Sequence, residues 1–324
     1  MALKQWVAKN WFLIGLMLAV SLAWLRPEPG AAGGILQSQW TTRLGVVLIF
    51  FFQGLTLSLS VLRMGALQWR LHLFVQITTF LMIPLLAVAM VTIAADMISE
   101  ELRLGLIFLA VLPTTIATSV AYTAMTEGNV AGAVFNSTLA NMAGVFITPL
   151  WIGIWLQAGG ETLPLGKLFL DISLMLLAPL LLGQLVRPLV SQRVDRYKKG
   201  LSTTGSLIIL YIVYVAFSNS WQQDIWSAQG TEATLIAVGG AVLLFVAAIG
   251  LTIAGIRLIG FEHGNAMAAL FCAPQKTLAA GAPMANLIFA GHPGLGLILL
   301  PILFYHPLQL LAGGLMINLI MKNR

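Results

Sequence analysis

Leu112-Pro113-Thr114-Thr115-Ile116-Ala117-Thr118-Ser119 sets a proline and four hydroxyls inside an apolar stretch, and Ala273-Pro274-Gln275-Lys276-Thr277 repeats the pattern half a chain later. Proline lacks a backbone donor and leaves a carbonyl free. In hydrocarbon each unpaired backbone group costs several kcal/mol, so such a break persists only where it lines a cavity or faces protein. Paired breaks in corresponding halves of a polytopic chain point to a transporter's binding site.

The rest of the chain agrees with a membrane setting. It is 59% hydrophobic and 9% charged, whereas a soluble domain carries about 25% charged residues. Apolar runs predict ten spans, at about 11–25, 44–62, 73–95, 103–125, 129–156, 168–190, 201–220, 233–256, 264–289 and 294–320. The connections between them are too short for a soluble domain. The first span follows Lys4 and Lys9 and reads as a span, since no clear signal-peptide cleavage site closes it.

The net charge of +6 is not a nucleic-acid footprint. With the N-terminus inside, twelve of the seventeen basic residues fall on the inner side: Lys4, Lys9, Arg63, Arg70, Arg187, Arg193, Arg196, Lys198, Lys199, Arg257, Lys322 and Arg324. Arg26, Arg43, Arg103 and Lys167 fall outside, and Lys276 lies within a span. This asymmetry predicts a protein integral to the cytoplasmic (inner) membrane with both termini cytoplasmic. Asp96, Glu100, Glu101, Glu161, Asp224 and Glu232 fall on the outer side. Tryptophans such as Trp11, Trp24, Trp151, Trp155 and Trp221 sit near span ends, as an interfacial belt requires. Cys272 is the only cysteine, which excludes an intramolecular disulfide and a thiolate metal cluster.

The chain also predicts an internal repeat. Pro113 and Pro274 are 161 residues apart, and Pro149 and Pro307 are 158 apart, close to half of 324. Five spans per half is an odd number, so the second half enters the membrane from the opposite side.

In the fourth span Thr114, Thr115, Thr118 and Ser119 offer oxygen ligands to a cation or hydrogen bonds to a solute; alternatively they bond back to the preceding turn. In the fifth, after a tight Glu127-Gly128-Asn129 turn, Asn136, Ser137, Thr138 and Asn141 either line a site or glue helices together. Lys276, with Gln275 and Thr277, is the sharpest feature. It lies about 16 Å or more from either end of its span, and a lysine stem reaches only about 6 Å. Its ammonium therefore occupies a cation-like position, titrates during transport, or is held structurally by carbonyl ends of the broken helices. Asp171 reads as interfacial, Gln53 and Gln76 as bonds across helices, and His306 as a structural hydrogen bond. An enzyme is disfavoured: an intramembrane aspartyl protease needs two aspartates and only Asp171 qualifies, and no His-Glu-x-x-His run exists. A channel using the same polar clusters stays open.

With these residues stated, the chain resembles the bile acid:sodium symporter superfamily. It is most similar to the SBF-like branch that includes the seventh vertebrate member of solute carrier family ten. The similarity lies in Trp11-Phe12-Leu13-Ile14-Gly15, Leu71-His72-Leu73-Phe74-Val75-Gln76-Ile77, Ala133-Val134-Phe135-Asn136-Ser137, Ile147-Thr148-Pro149-Leu150, Phe271-Cys272-Ala273-Pro274-Gln275-Lys276-Thr277-Leu278 and Phe289-Ala290-Gly291-His292. The resemblance implies an all-α fold of ten transmembrane helices in two inverted five-helix repeats, with broken fourth and ninth helices crossing beside the substrate route. It implies a panel (1–70 and 160–230) and a core (71–159 and 231–324).

It also implies sodium ligands: a Ser-Asn pair after the fourth-span proline, fifth-span hydroxyls, and a Glu and Gln on the ninth span. Thr118-Ser119 match the pair and Ser137 one hydroxyl, but Ala133 fills another hydroxyl position and Lys276 stands where no acid is found. A site that loses a carboxylate and gains an ammonium repels a cation. The expectation is an alternating-access transporter of a small organic anion in contact with membrane lipid, with Na+ or H+ as the candidate coupling ion and no cofactor. A non-transporting regulator of calcium flux is the alternative, and the sequence is silent on oligomeric state.

Overall fold

A computed structural model describes residues 2–56, 68–158, 165–223 and 225–322; the side chains of 2–10, 165–169, 171–173 and 225–229 are outside the described set. The expectations for Lys4, Lys9, Arg63, Glu161, Lys167, Asp171, Asp224 and Arg324 lie outside the described residues or side chains. Among the described residues the fold is all-helical. In chain order it comprises α1 (Ala2–Leu25), α2 (Ser38–Thr56), α3 (Trp69–Ile93), α4 (Glu100–Val111), α5 (Ala117–Met125), α6 (Val130–Ala158), α7 (Leu165–Gln222), α8 (Ile225–Ile259), α9 (His263–Cys272), α10 (Leu278–Ile288) and α11 (Leu295–Lys322). Five of these, α3, α6, α7, α8 and α11, are long and apolar enough to cross a membrane. Leu185, Leu189 and Leu258 are 74%, 85% and 89% exposed, a surface that hydrocarbon tolerates and water does not.

The chain packs as two units. One comprises Met1–Leu57, Ile172–Glu232 and Ala282–Leu299; the other comprises Ser58–Asp171, Ala233–Gly281 and Leu300–Arg324.

In the first unit the structure departs from the sequence reading. Two separate spans were expected at 168–190 and 201–220, but α7 is helical throughout its 58 residues. A straight helix of that length would run about 87 Å. Its packing on α2 shows that it is not straight. A Cβ on Gly54 would meet the Leu180 carbonyl oxygen at 2.1 Å, and one on Gly45 would meet Ile208 at 2.7 Å. Gly45 and Gly54 are about 13 Å apart along α2, whereas Gly183, which touches Gly54, and Ile208 would be about 37 Å apart on a straight α7. The path of α7 therefore bends sharply between them. The bend region carries Arg193, Asp195, Arg196, Lys198 and Lys199, all exposed, and this charge density has no place in hydrocarbon. Pro188, within this stretch of α7, removes one helical donor.

In the second unit α3 contains a five-residue π-helical stretch, Thr78–Met82. Pro84 explains it. Ile83 N–H bonds the Thr78 carbonyl, one residue further back than in an α-helix, and Pro84 has no N–H to offer. Thr79 and Phe80 thereby lose in-helix partners for their carbonyls. The Trp151 indole on α6 fills the Phe80 position, donating to it at 2.8 Å.

α5 closes on Glu127, which adopts a left-handed φ of 54°, and Gly128 N–H donates back to the Thr123 carbonyl at 2.8 Å. Asn129 then ties this turn to the start of α9: its N–H donates to Gly264 O (2.9 Å) and its amide to Asn265 Oδ1 (2.7 Å).

Candidate functional site: two helix breaks that satisfy each other

Between α4 and α5, residues 112–116 are non-helical, and between α9 and α10 so are residues 273–277. Both breaks belong to the second unit. Each leaves backbone groups without helical partners, and the partners come from neighbouring helices.

The first break is completed carbonyl by carbonyl. Ala110 O accepts from Lys276 Nζ (2.6 Å), Val111 O from the Thr148 hydroxyl (2.8 Å) and Leu112 O from Lys276 Nζ (2.9 Å). Pro113 O accepts the Thr277 N–H (3.0 Å), and Thr114 O the Asn141 amide (2.8 Å). Gly144 on α6 lets Pro113 approach; a Cβ there would sit 2.8 Å from the proline ring.

The second break is completed in the same manner. Ala273 O accepts from the Thr79 hydroxyl (3.1 Å) and Pro274 O from the Tyr305 phenol (2.6 Å). Gln309 on α11 clamps the main chain of Lys276, accepting from its N–H and donating to its carbonyl, both at 2.8 Å.

Residues 118, 119 and 275 form the polar centre. The Thr118 and Ser119 hydroxyls both donate to Gln275 Oε1, at 2.7 and 3.1 Å. Thr114 and Ser119 hydroxyls pair at 3.2 Å. Ser137 lies 3.6 Å from the Cys272 sulfur. Lys276 points the other way. Its side chain is fully buried, and its ammonium donates to Thr79 O (3.0 Å), Ala110 O and Leu112 O. All three partners are backbone carbonyls, and charge-assisted bonds of this kind offset the cost of burying the charge.

Most of the residues singled out from sequence thus meet at the two breaks. Thr114, Thr118, Ser119, Gln275, Lys276 and Thr277 bond within them, Asn141 bonds the first from α6, and Ser137 adjoins the second through Cys272. Thr115 is buried in the first break. Asn136 is brought elsewhere: it accepts from Gln76 of α3 at 3.1 and 3.3 Å and donates to its own turn at Gly132 O. His306 is within 3.1 Å of Gln309. Sequence reasoning missed Thr79, Thr148, Tyr305 and Gln309. Thr148 directly precedes Pro149 and Gln309 follows Pro307 by two residues, and a polar residue within one turn of a transmembrane proline is the signal that marks them.

In the first unit, a cavity of about 380 Å³ is lined by Trp40, Arg43, Asn219, Gln223, Asn286 and His292 among others, with no acidic side chain among the described residues of its wall. The exposed Arg43 guanidinium lies 5.9 Å from the Trp40 ring centre.

A profile of the SBF-like CPA transporter family matches residues 10–322. The chain belongs to that family. The resemblance read from its motifs is thereby confirmed. This SBF-like protein is 34% identical over 313 residues to an uncharacterized protein of Pseudomonas aeruginosa, covering 97% of this chain and 93% of that one. It is 33% identical over 304 residues to YfeH of Escherichia coli K12, whose name carries the word symporter, covering 93% and 90%. It is 31% identical over 320 residues to sodium/bile acid cotransporter 7 of Danio rerio, covering 98% and 95%. The SBF-like chain is an integral membrane transporter and not an enzyme.

Proposed function

We propose that this SBF-like protein is a secondary active transporter that moves a small organic anion across the cytoplasmic membrane by alternating access. The observation that carries the reading is the cavity that holds Arg43, His292 and the amides of Asn219, Gln223 and Asn286, with no acidic side chain among its described residues. Its volume, about 380 Å³, suits a small organic ligand. A guanidinium flanked by amide donors is the chemistry that recognises a carboxylate or sulfonate. Asn286 lies on α10. Lys276 is not the solute's anchor in this reading, because its ammonium is held by three carbonyls.

Ten transmembrane helices in two inverted repeats, with the panel 1–70 and 160–230 moving against the core 71–159 and 231–324, supply the alternating access. Both termini are cytoplasmic. The sodium ligand set at Thr118, Ser119 and Ser137 goes unused. The first two hydroxyls are committed to Gln275, no carboxylate joins them among the described residues, and Lys276, next in sequence to Gln275, carries a positive charge. Transport is therefore independent of sodium.

The test is uptake of labelled organic anions into proteoliposomes, with Arg43→Gln as the variant. Uptake by the wild type that persists when sodium is replaced by choline, and falls at least about tenfold in Arg43→Gln, is expected, since a charged hydrogen bond contributes about 1.5–3 kcal/mol. Uptake unchanged in Arg43→Gln, or none without sodium, would overturn the reading. Absence of counterflow across a broad anion panel would favour a regulator of ion flux.

A further inference from the structure

The ammonium of Lys276 sits in a cage that the backbone builds without it. Its three ligands come from two proline-made irregularities, and none belongs to the helices flanking Lys276 itself. Thr79 O is left open because Ile83 N–H is drawn back to Thr78 and Pro84 has no donor. Ala110 O and Leu112 O are left open because α4 stops at Val111 before Pro113. Three carbonyls converge on one point at 2.6, 2.9 and 3.0 Å, and no carboxylate is among them. Carbonyl-only cages that replace a hydration shell are how proteins hold desolvated monovalent cations. A divalent ion would demand anionic ligands that this cage lacks. The lysine is delivered to it by a fixed main chain, clamped on both sides by Gln309.

We infer that the three carbonyls of Thr79, Ala110 and Leu112 form a monovalent-cation site of ammonium or potassium size, which this chain fills permanently with its own Lys276 ammonium. The contacts are ammonium-length, too long for close coordination of the smaller sodium ion. Removing the side chain beyond Cβ empties the cage and the space of the lysine stem, so a free cation with some of its hydration can replace the ammonium. Replacing the lysine by methionine fills the stem volume, blocks entry and leaves the carbonyls unpaired. The inference rests on backbone geometry and not on the identity of the solute.

The experiment is thermal unfolding of detergent-solubilised full chain in ammonium, potassium, sodium or N-methyl-D-glucamine chloride at equal ionic strength. Wild type, Lys276→Ala and Lys276→Met are compared, with folded yield read by size exclusion of fluorescent fusions. Lys276→Ala is expected to gain about 5 °C or more in ammonium or potassium over N-methyl-D-glucamine, with a smaller gain in sodium. Wild type and Lys276→Met are expected to show no such selectivity. The inference is overturned if Lys276→Ala responds to the cations as the wild type does. It is equally overturned if Lys276→Ala folds in none of them while Lys276→Met folds, because the emptied cage then takes no free cation. If neither variant folds in any cation, soaking wild-type crystals in thallium decides: anomalous density on the three carbonyls would place a free ion where the ammonium should be and overturn the inference, and its absence there supports it. Solute uptake plays no part in these readouts, so failure here leaves the transport reading intact, and the converse holds.

Discussion

The N–H of Thr277 donates to the carbonyl of Pro113 at 3.0 Å, joining the two helix breaks directly. One break has a spare acceptor and the other a spare donor, and in a membrane neither can turn to water. The two interruptions are consequently one structural object. Removing any partner leaves a buried backbone group unpaired, which makes the arrangement testable one contact at a time.

Thr148 is the simplest case. Its hydroxyl is the partner of Val111 O at 2.8 Å. Thr148→Val keeps the shape and removes the donor, so a loss of about 1 kcal/mol is expected, near the value for interhelical hydrogen bonds in membranes. Thr148→Ser should recover most of it. Thermal or urea unfolding in detergent checks both.

Gln309 serves two backbone groups of Lys276 and should matter more. Gln309→Leu is expected to cost about 2 kcal/mol or more, because a donor and an acceptor are orphaned together. Gln309→Glu keeps the acceptor for the Lys276 N–H and loses the donor to its carbonyl. Its Tm should fall between wild type and Gln309→Leu in the same unfolding experiment.

Two glycines of the first unit give a paired prediction. Gly54→Ala forces a Cβ to 2.1 Å from the Leu180 carbonyl oxygen, and backbone cannot swing aside as a side chain can. A loss of about 2–3 kcal/mol is expected. Gly205 on the same α7 has nothing within 4 Å of its added Cβ, so Gly205→Ala should be neutral or stabilising by up to about 1 kcal/mol. Equal effects of the two in a melting experiment would contradict the α2–α7 packing.

The bend in α7 predicts a topology. In a Cys272→Ser background, single cysteines replacing Asp195 and Lys199 should react with an impermeant maleimide only from the cytoplasmic face. A cysteine at Gln37, in the loop before α2, should react only from the opposite face. Labelling of all three from one side would contradict the two-crossing path.

Much of this was legible before any coordinates. The membrane class follows from composition, the family from motifs spread along the chain, and the breaks from Pro113 and Pro274 amid polar residues. These signals are local: a proline removes its own donor and frees a carbonyl within one turn, wherever the chain later goes. The continuity of α7 was not legible, since a charged run between apolar runs reads as a loop.

The chemistry of proline, hydroxyl and ammonium, written residue by residue, established that orphaned backbone groups and a buried cation had to exist here and had to find partners. Which partner met which group was settled only when the chain folded. Thr79, Ala110 and Leu112 converge on Lys276 from residues far off in the chain, and pairing at 3 Å depends on how helices stack, for which no local pattern carries the information. The same physics that made each carbonyl costly to leave alone then selected the one packing in which none of the break's carbonyls from Ala110 to Thr114 is.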